Sequence, residues 1–271
     1  MTEQVSDEPR PSALGAAVAA LEFYTRIPRP PGIAFHPSDA RHAAAFAPLA
    51  GWIVAAVSAL VYAIAAGALP AVPAVVLALA AGVLLTGALH EDGFADTCDA
   101  FGARADRERT LAILKDPRCG AYAVTGLALL VVAKVAALAF VAEARGAFAV
   151  VVTLLAAHSF SRFAAVSAMH GRAYARSGDS SARAGDFATS PGGRDLAIAA
   201  LLGSAPLLLF PIADLGWAML CVLPAALALI WLTSIFDRRI GGYTGDCLGA
   251  VQQSVEVIVL MSACAAAGAG S

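Results

Sequence analysis

Asp92, Asp96 and Asp99 stand at the end of a long apolar run, in the segment His90-Glu91-Asp92-Gly93-Phe94-Ala95-Asp96-Thr97-Cys98-Asp99. On a helix they fall at i, i+4 and i+7, so all three project from one face within two turns. Carboxylates this close repel unless a cation lies between them. Hard carboxylate oxygens suit Mg²⁺, which is commonly held by one or two carboxylates together with substrate phosphate oxygens. The pattern predicts a metal and diphosphate site, with Glu91 as the fourth carboxylate. The alternative is a solvated acidic loop beside a membrane helix.

Bases follow the acids. Ile113-Leu114-Lys115-Asp116-Pro117-Arg118-Cys119-Gly120-Ala121-Tyr122 offers Lys115 and Arg118, which could neutralise diphosphate oxygens, Arg118 through a bidentate fork. Their other reading is simple anchoring at a membrane surface. Pro117 and Gly120 interrupt the helix, and Gly120 either lets the backbone approach a ligand or begins the next span. A third segment, Arg238-Arg239-Ile240-Gly241-Gly242-Tyr243-Thr244-Gly245-Asp246, enters the last apolar run. Its glycines and Thr-Gly-Asp suggest a backbone cradle for an anion, with Asp246 as a helix cap or another metal ligand.

The elements that position these residues are membrane helices. The chain has 271 residues, of which 59% are hydrophobic and only 14% charged, with a mean hydropathy of +0.75. That excludes an ordinary soluble domain. Runs near 43–67, 72–89, 121–141, 147–169, 196–211, 215–236 and 249–267 approach the roughly 20 residues needed to cross a bilayer, and predict an all-α bundle of about seven spans in a single domain over residues 1–271. Alternate threading puts the loops near 90–120, 170–194 and 237–248 on one side. Nearly all Arg and Lys outside the spans, Arg183 among them, share that side, so the positive-inside rule makes it and the N-terminus cytoplasmic. The connections on the other side are too short to build a site.

Residues 13–24 are apolar but too few to span, and read as an interfacial or re-entrant helix. Residues 1–11 read as a disordered, uncleaved leader. The five cysteines show no C-x-x-C spacing and read as buried or interfacial thiols. No internal repeat or dinucleotide-binding fingerprint is present, and His90 has no second His at zinc spacing. Charges within spans are expensive and therefore informative. Arg162 and Glu256 are expected to pair in the interior, Lys134 finds no acid at its depth, and His158 reads as a residue that hydrogen-bonds between helices.

These segments together resemble the cobalamin synthase family, the adenosylcobinamide-GDP ribazoletransferases of bacterial inner membranes. The likeness rests on Phe23-Tyr24-Thr25-Arg26-Ile27-Pro28, Phe46-Ala47-Pro48-Leu49-Ala50-Gly51, Thr86 through Asp99, Ile113 through Tyr122, Ser161-Arg162, and Thr244 through Ala250. Cys98, Ala100, Pro117 and Cys119 depart from the family's pattern without removing a charged group. The resemblance implies transfer of the adenosylcobinamide phosphate moiety of adenosylcobinamide-GDP to α-ribazole or its 5′-phosphate, with release of GMP and use of Mg²⁺. It implies metal binding by Glu91, Asp92, Asp96 and Asp99, and substrate contacts from Arg26, Lys115, Arg118, Thr244 and Gly245. The catalytic set is Asp92, Asp96, Asp99, Asp116 and Asp246, with Asp99, Asp116 or Asp246 as the proton acceptor. The implied partners are the two substrates, the lipid bilayer, and either a second copy or other enzymes of cobalamin assembly, with no nucleic acid.

The acidic segment has two other readings. A CDP-alcohol phosphotransferase or polyprenyl transferase also carries Asp-rich helix ends, but the Asp-Gly-x-x-Ala-Arg continuation of the former is absent, since Asp96 and Thr97 occupy those places. A cation transporter should carry acids at mid-membrane depth in several spans, and here only Glu256 does.

Overall fold

The computed structural model describes residues 12–176, 189–209 and 215–269. The expected leader, Arg183 and the middle of the 170–194 loop lie outside these residues. Ten α-helices account for most of the described chain: α1 (Ala13–Tyr24), α2 (Pro37–His42), α3 (Ala47–Ala66), α4 (Ala71–Thr86), α5 (Leu89–Gly102), α6 (Arg107–Ile113), α7 (Ala121–Met169), α8 (Gly193–Ser204), α9 (Leu215–Ile240) and α10 (Gly245–Gly268). Among the described residues there is no strand, only an isolated parallel bridge between Tyr174 and Tyr243.

Length and apolar composition allow four helical stretches to cross a membrane, at 37–66, 121–169, 220–240 and 245–268. A fifth results if α4 and α5, bent by 89° at their junction, count as one span. The protein is thus an all-α, multi-pass membrane protein. α8 has only 12 residues, about 18 Å of helix, against a hydrocarbon core of about 30 Å.

The 49-residue α7 is two helices joined at Gly146, whose φ of 79° and ψ of −178° break the helix. On a straight helix Lys134 and His158 would stand about 36 Å apart. Instead Lys134 Nζ is 2.6 Å and His158 Nδ1 3.3 Å from the Glu256 carboxylate. The chain therefore doubles back at Gly146, and the two arms match the separate runs read from the sequence at 121–141 and 147–169. α10 lies against both, with Val251, Val255 and Val259 fully buried.

This geometry corrects the expected interior pair. Glu256 pairs with Lys134, not with Arg162, whose Nη1 donates to the His158 carbonyl at 2.8 Å. Depth explains the difference. Glu256 lies about 16 Å into α10, Lys134 about 20 Å into the first arm of α7 and His158 about 16 Å from the end of the second, whereas Arg162 lies only about 10 Å from that end.

α5 begins with Gly87 and Ala88 both in the left-handed region, at φ of 67° and 60°, which turns the chain away from α4. It then crosses the start of α10 at a contact between glycines. A Cβ on Gly93 would stand 2.9 Å from Asp246 Cα and 3.0 Å from its carbonyl oxygen, and one on Gly249 would stand 3.2 Å from Gly93 Cα. Gly93→Val must force the two helices apart, because the obstacle is backbone. A displacement of about 1 Å at a reacting centre costs on the order of 100-fold. Turnover of Gly93→Val should fall by at least that factor, read against native protein of equal helicity in detergent.

Candidate functional site

All the segments flagged in the sequence meet at one end of the bundle. Arg107, at the start of α6, donates from Nε to the Ile240 carbonyl at 3.0 Å. Arg239 Nη2 donates to the carbonyls of Ala103 at 3.0 Å and Ala105 at 3.2 Å. Arg172 is 3.1 Å from the Asp237 carboxylate, and Arg176 Nη2 donates to the Leu114 carbonyl at 3.0 Å. These basic residues tie the three loops together.

At this end α5 is helical as expected, so Asp92, Asp96 and Asp99 share one flank. The glycine crossing sets Asp246, in the first turn of α10, beside the α5 acids. α5 turns 89° away from the apolar α4, and on it the Asp96 carboxyl is pushed up to about 6 by partial burial and by the charges of Asp92, Asp246 and Asp99. Three carboxyl groups around a fourth make a site that favours a cation. Arg176 supplies one positive group, 3.2 Å from Asp246 Oδ2, and the Thr244 hydroxyl donates to the same oxygen at 3.2 Å.

The raised Asp96 value carries a signed prediction. The folded state binds this proton more tightly than the unfolded chain, so the neutral form is favoured. Ionisation weakens the fold as pH rises from the ordinary carboxyl value of 3.8 through about 6. Asp96→Asn should therefore be more stable than native protein at pH 7.5, by about 1 kcal/mol after allowance for solvent screening. The gain should vanish near pH 4, as read by thermal unfolding in detergent without metal.

The other expected site residues divide. Asp99 accepts the backbone N–H groups of Gly120 at 2.6 Å and Ala123 at 2.9 Å, so it caps the start of α7. Gly120 is required there because a Cβ would meet the Asp99 carboxylate at 2.7 Å. Asp116 accepts from Arg118 Nε at 2.8 Å and Nη2 at 2.6 Å, which holds its carboxyl down at about 2. Such an acid is a poor proton acceptor at neutral pH. The Arg118 fork is therefore engaged with Asp116, on a side chain that is 86% exposed, and Lys115 is exposed next to it. Glu91 points away from Asp92, accepting from Gln253 Nε2 at 2.9 Å. Arg26 lies across the α4–α5 bend, its Nε 2.6 Å from where a Cβ on Gly87 would stand. Thr244 caps α10 through the Cys247 N–H, and Gly245 is exposed at the start of that helix.

Gly241 and Gly242 serve chain pairing. They adopt φ of 75° and 151°, and the Tyr243 N–H donates to the Ala173 carbonyl at 3.1 Å while the Ala175 N–H donates to the Tyr243 carbonyl at 2.8 Å. This pairing places Tyr174 and Tyr243 edge to face at 5.6 Å. Among the described residues no group of three or more His, Cys, Asp or Glu side chains is close enough to enclose a metal ion. Asp92 and Asp246 lie near enough to Asp96 to raise its carboxyl without the three enclosing an ion by themselves, and hard carboxylates so placed suit Mg²⁺ where one or two of them bind it and substrate oxygens complete its shell.

A cavity of about 300 Å³ opens beside the acids, lined by Tyr24, Asp92, Arg162, Tyr174, Tyr243 and Asp246 among others. Tyr24 stacks on His90 at 5.9 Å, with their planes within 4°. Sequence reading named the acids but missed Arg176 and the aromatic walls. Arg176 sits in a loop already expected at the site, and that position was its only signal.

The sequence profile of the cobalamin-5-phosphate synthase family matches residues 16–264. The adenosylcobinamide-GDP ribazoletransferase of Ralstonia nicotianae is 41% identical over 242 residues, covering 89% of this chain and 91% of that protein. The enzyme of the same name from Azorhizobium caulinodans is 42% identical over 251 residues, covering 90% and 92%. That of Vibrio cholerae El Tor is 34% identical over 248 residues, covering 89% and 90%. No solved structure matches the chain. Acids, cavity and aromatic walls all fall inside the matched span, and the chain belongs to the cobalamin-5-phosphate synthase family.

Proposed function

We propose that this protein transfers the adenosylcobinamide phosphate moiety of adenosylcobinamide-GDP to α-ribazole or α-ribazole 5′-phosphate, releasing GMP and forming adenosylcobalamin or its 5′-phosphate. The observation that carries the reading is the crossing of α5 and α10, which brings Asp246, paired with Arg176, near Asp96 and sets Asp92 and Asp246 in the wall of an aromatic cavity. The relatives' names supply the substrates.

In this reading a ribose hydroxyl oxygen attacks the phosphorus on the corrinoid side of the diphosphate. The bond from that phosphorus to the bridging oxygen breaks, and GMP leaves with the bridging oxygen. Asp246, which lines the cavity, accepts the hydroxyl proton. Asp92 and Asp96 are the residues that would hold Mg²⁺, which supplies charge neutralisation at the diphosphate oxygens. Arg176 keeps Asp246 oriented, and the exposed Lys115 and Arg118 attract the anionic substrate to this end of the bundle. Asp99 acts by holding the start of α7.

We also propose seven crossings of the bacterial inner membrane, with the N-terminus and the acidic end in the cytoplasm. Association with a second copy or with other cobalamin-assembly enzymes belongs to the same proposal. The test is omission of one substrate at a time from protein in lipid. GMP release should require both substrates and match the nucleotide-completed corrinoid mole for mole. GMP release without the nucleoside would instead mark a hydrolase.

A further inference from the structure

A second cavity, of about 220 Å³, lies deeper in the bundle between α4, α5, α10 and both arms of α7. Its inner wall carries Glu91, Lys134, Arg162, Gln252 and Glu256. Much of that wall is satisfied internally. Lys134 Nζ donates to Glu256 at 2.6 Å and to Gln253 at 2.5 Å, and Gln252 Nε2 donates to Glu256 at 2.6 Å and to Ser161 Oγ at 2.9 Å.

Three polar atoms of lining residues remain buried without a partner: Arg162 Nε, Gln252 Oε1 and Glu91 Oε2. Arg162 is 2% and Gln252 1% exposed. Each such atom costs about 1–3 kcal/mol if nothing meets it, and hydrocarbon cannot. The wall asks for one acceptor, opposite the Arg162 N–H, and two donors. The formal charges of Lys134 and Arg162 are balanced by Glu91 and Glu256, so the cavity has no net attraction for a diphosphate.

The outer wall is apolar and faces lipid. Val76 and Val131, at the mouth between α4 and the first arm of α7, are 45% and 49% exposed. The occupant is therefore uncharged, with an apolar body and a few hydrogen-bonding atoms. His90 and Arg162 line both this cavity and the acid-lined one, so a single molecule can place a different part in each.

We propose that this cavity receives the heteroaromatic base of the acceptor nucleoside, while the attacking hydroxyl reaches Asp246 past His90 and Arg162. The inference rests on the reading that α-ribazole is the acceptor. Its methylated benzimidazole is apolar, uncharged at neutral pH, and offers one ring nitrogen as the acceptor for Arg162 Nε. Ribose hydroxyls not used in attack supply donors for Glu91 Oε2 and Gln252 Oε1. The lateral mouth gives the membrane a role in a reaction of otherwise polar substrates, because the apolar ring can enter from the bilayer side.

The test is to narrow the mouth from its lipid side with Ala80→Trp and, separately, Val131→Trp. Both positions are exposed, so neither change crowds the packed interior. Calorimetry in nanodiscs would give the Kd for α-ribazole alone, and steady-state kinetics the KM for each substrate. The expected result is a rise of about tenfold or more in Kd and KM for α-ribazole, with the KM for adenosylcobinamide-GDP within about twofold of native. Unchanged nucleoside affinity in both variants, no nucleoside binding by native protein, or a parallel rise in both KM values would overturn the assignment. Native protein that turns over while the variants bind α-ribazole normally defeats only the cavity assignment. Native protein that makes no product, with nucleoside binding still weakened by the variants, defeats the transferase reading and leaves the cavity standing.

Discussion

Asp92→Asn should lower turnover by at least about 1,000-fold while leaving the protein folded and monodisperse in detergent. Asp92 is exposed at the cavity mouth, so its carboxylate contributes little to packing. Its removal takes away a hard oxygen ligand and a negative charge from the place where diphosphate and cation must meet. The isosteric amide binds Mg²⁺ weakly, and the loss of metal-assisted charge stabilisation at a transferring phosphoryl group is worth several kcal/mol. Turnover should be measured at saturating substrate and at several Mg²⁺ concentrations. A variant with native turnover would remove Asp92 from the metal assignment, and loss of the folded state would move it from chemistry to structure.

The second large effect lies far from the acids. Lys134→Met strips the Glu256 carboxylate of its ammonium partner at 2.6 Å, leaving it only Gln252 and His158, in a bundle interior where both side chains are under 10% exposed. Breaking such a pair from one side costs about 3–5 kcal/mol because the remaining charge is left buried. Glu256→Gln alone should be similarly harmful, since it leaves the ammonium. The double change Lys134→Met with Glu256→Gln should recover most of the loss, as measured by thermal unfolding of the four proteins in one detergent. Equal losses that simply add would show that the two groups do not interact.

Much of the fold could be read along the chain because each helix announces itself locally. The breaks at Gly146 and Gly87–Ala88, the start of α7 after Gly120 and that of α10 after Thr244 all coincide with changes from apolar runs to glycine or capping residues. The helical spacing of Asp92, Asp96 and Asp99 was legible for the same reason, as was the convergence of three loops at one end, which follows from alternate threading. The number of full crossings was less legible, because α8 is too short to settle by length and α5 turns aside from α4.

Pairings between distant segments were not legible. Nothing near Gly93 says that Gly249 will meet it, and nothing near Asp99 says that its oxygens will cap a helix 21 residues later. Arg162 and Glu256 stand at similar depth on the sequence alone, yet a turn of helix more or less decides which long side chain reaches. Similarly, the Gly241-Gly242 pair signalled a special backbone, but only the fold reveals that a neighbouring strand of chain, rather than an anion, occupies the space. Arg118 shows the same limit, because a fork suited to a phosphate is equally suited to the carboxylate two residues before it.

If the acids gathered by α5 and α10 make a cation-dependent phosphoryl-transfer site, the reaction must depend on a divalent cation. The most direct test follows GMP release and corrinoid mass for protein reconstituted in lipid with adenosylcobinamide-GDP and α-ribazole, before chelation, after chelation and after return of Mg²⁺. GMP and the completed cobamide should appear together, vanish with chelator and return with Mg²⁺. Undiminished product in the presence of chelator would contradict that dependence.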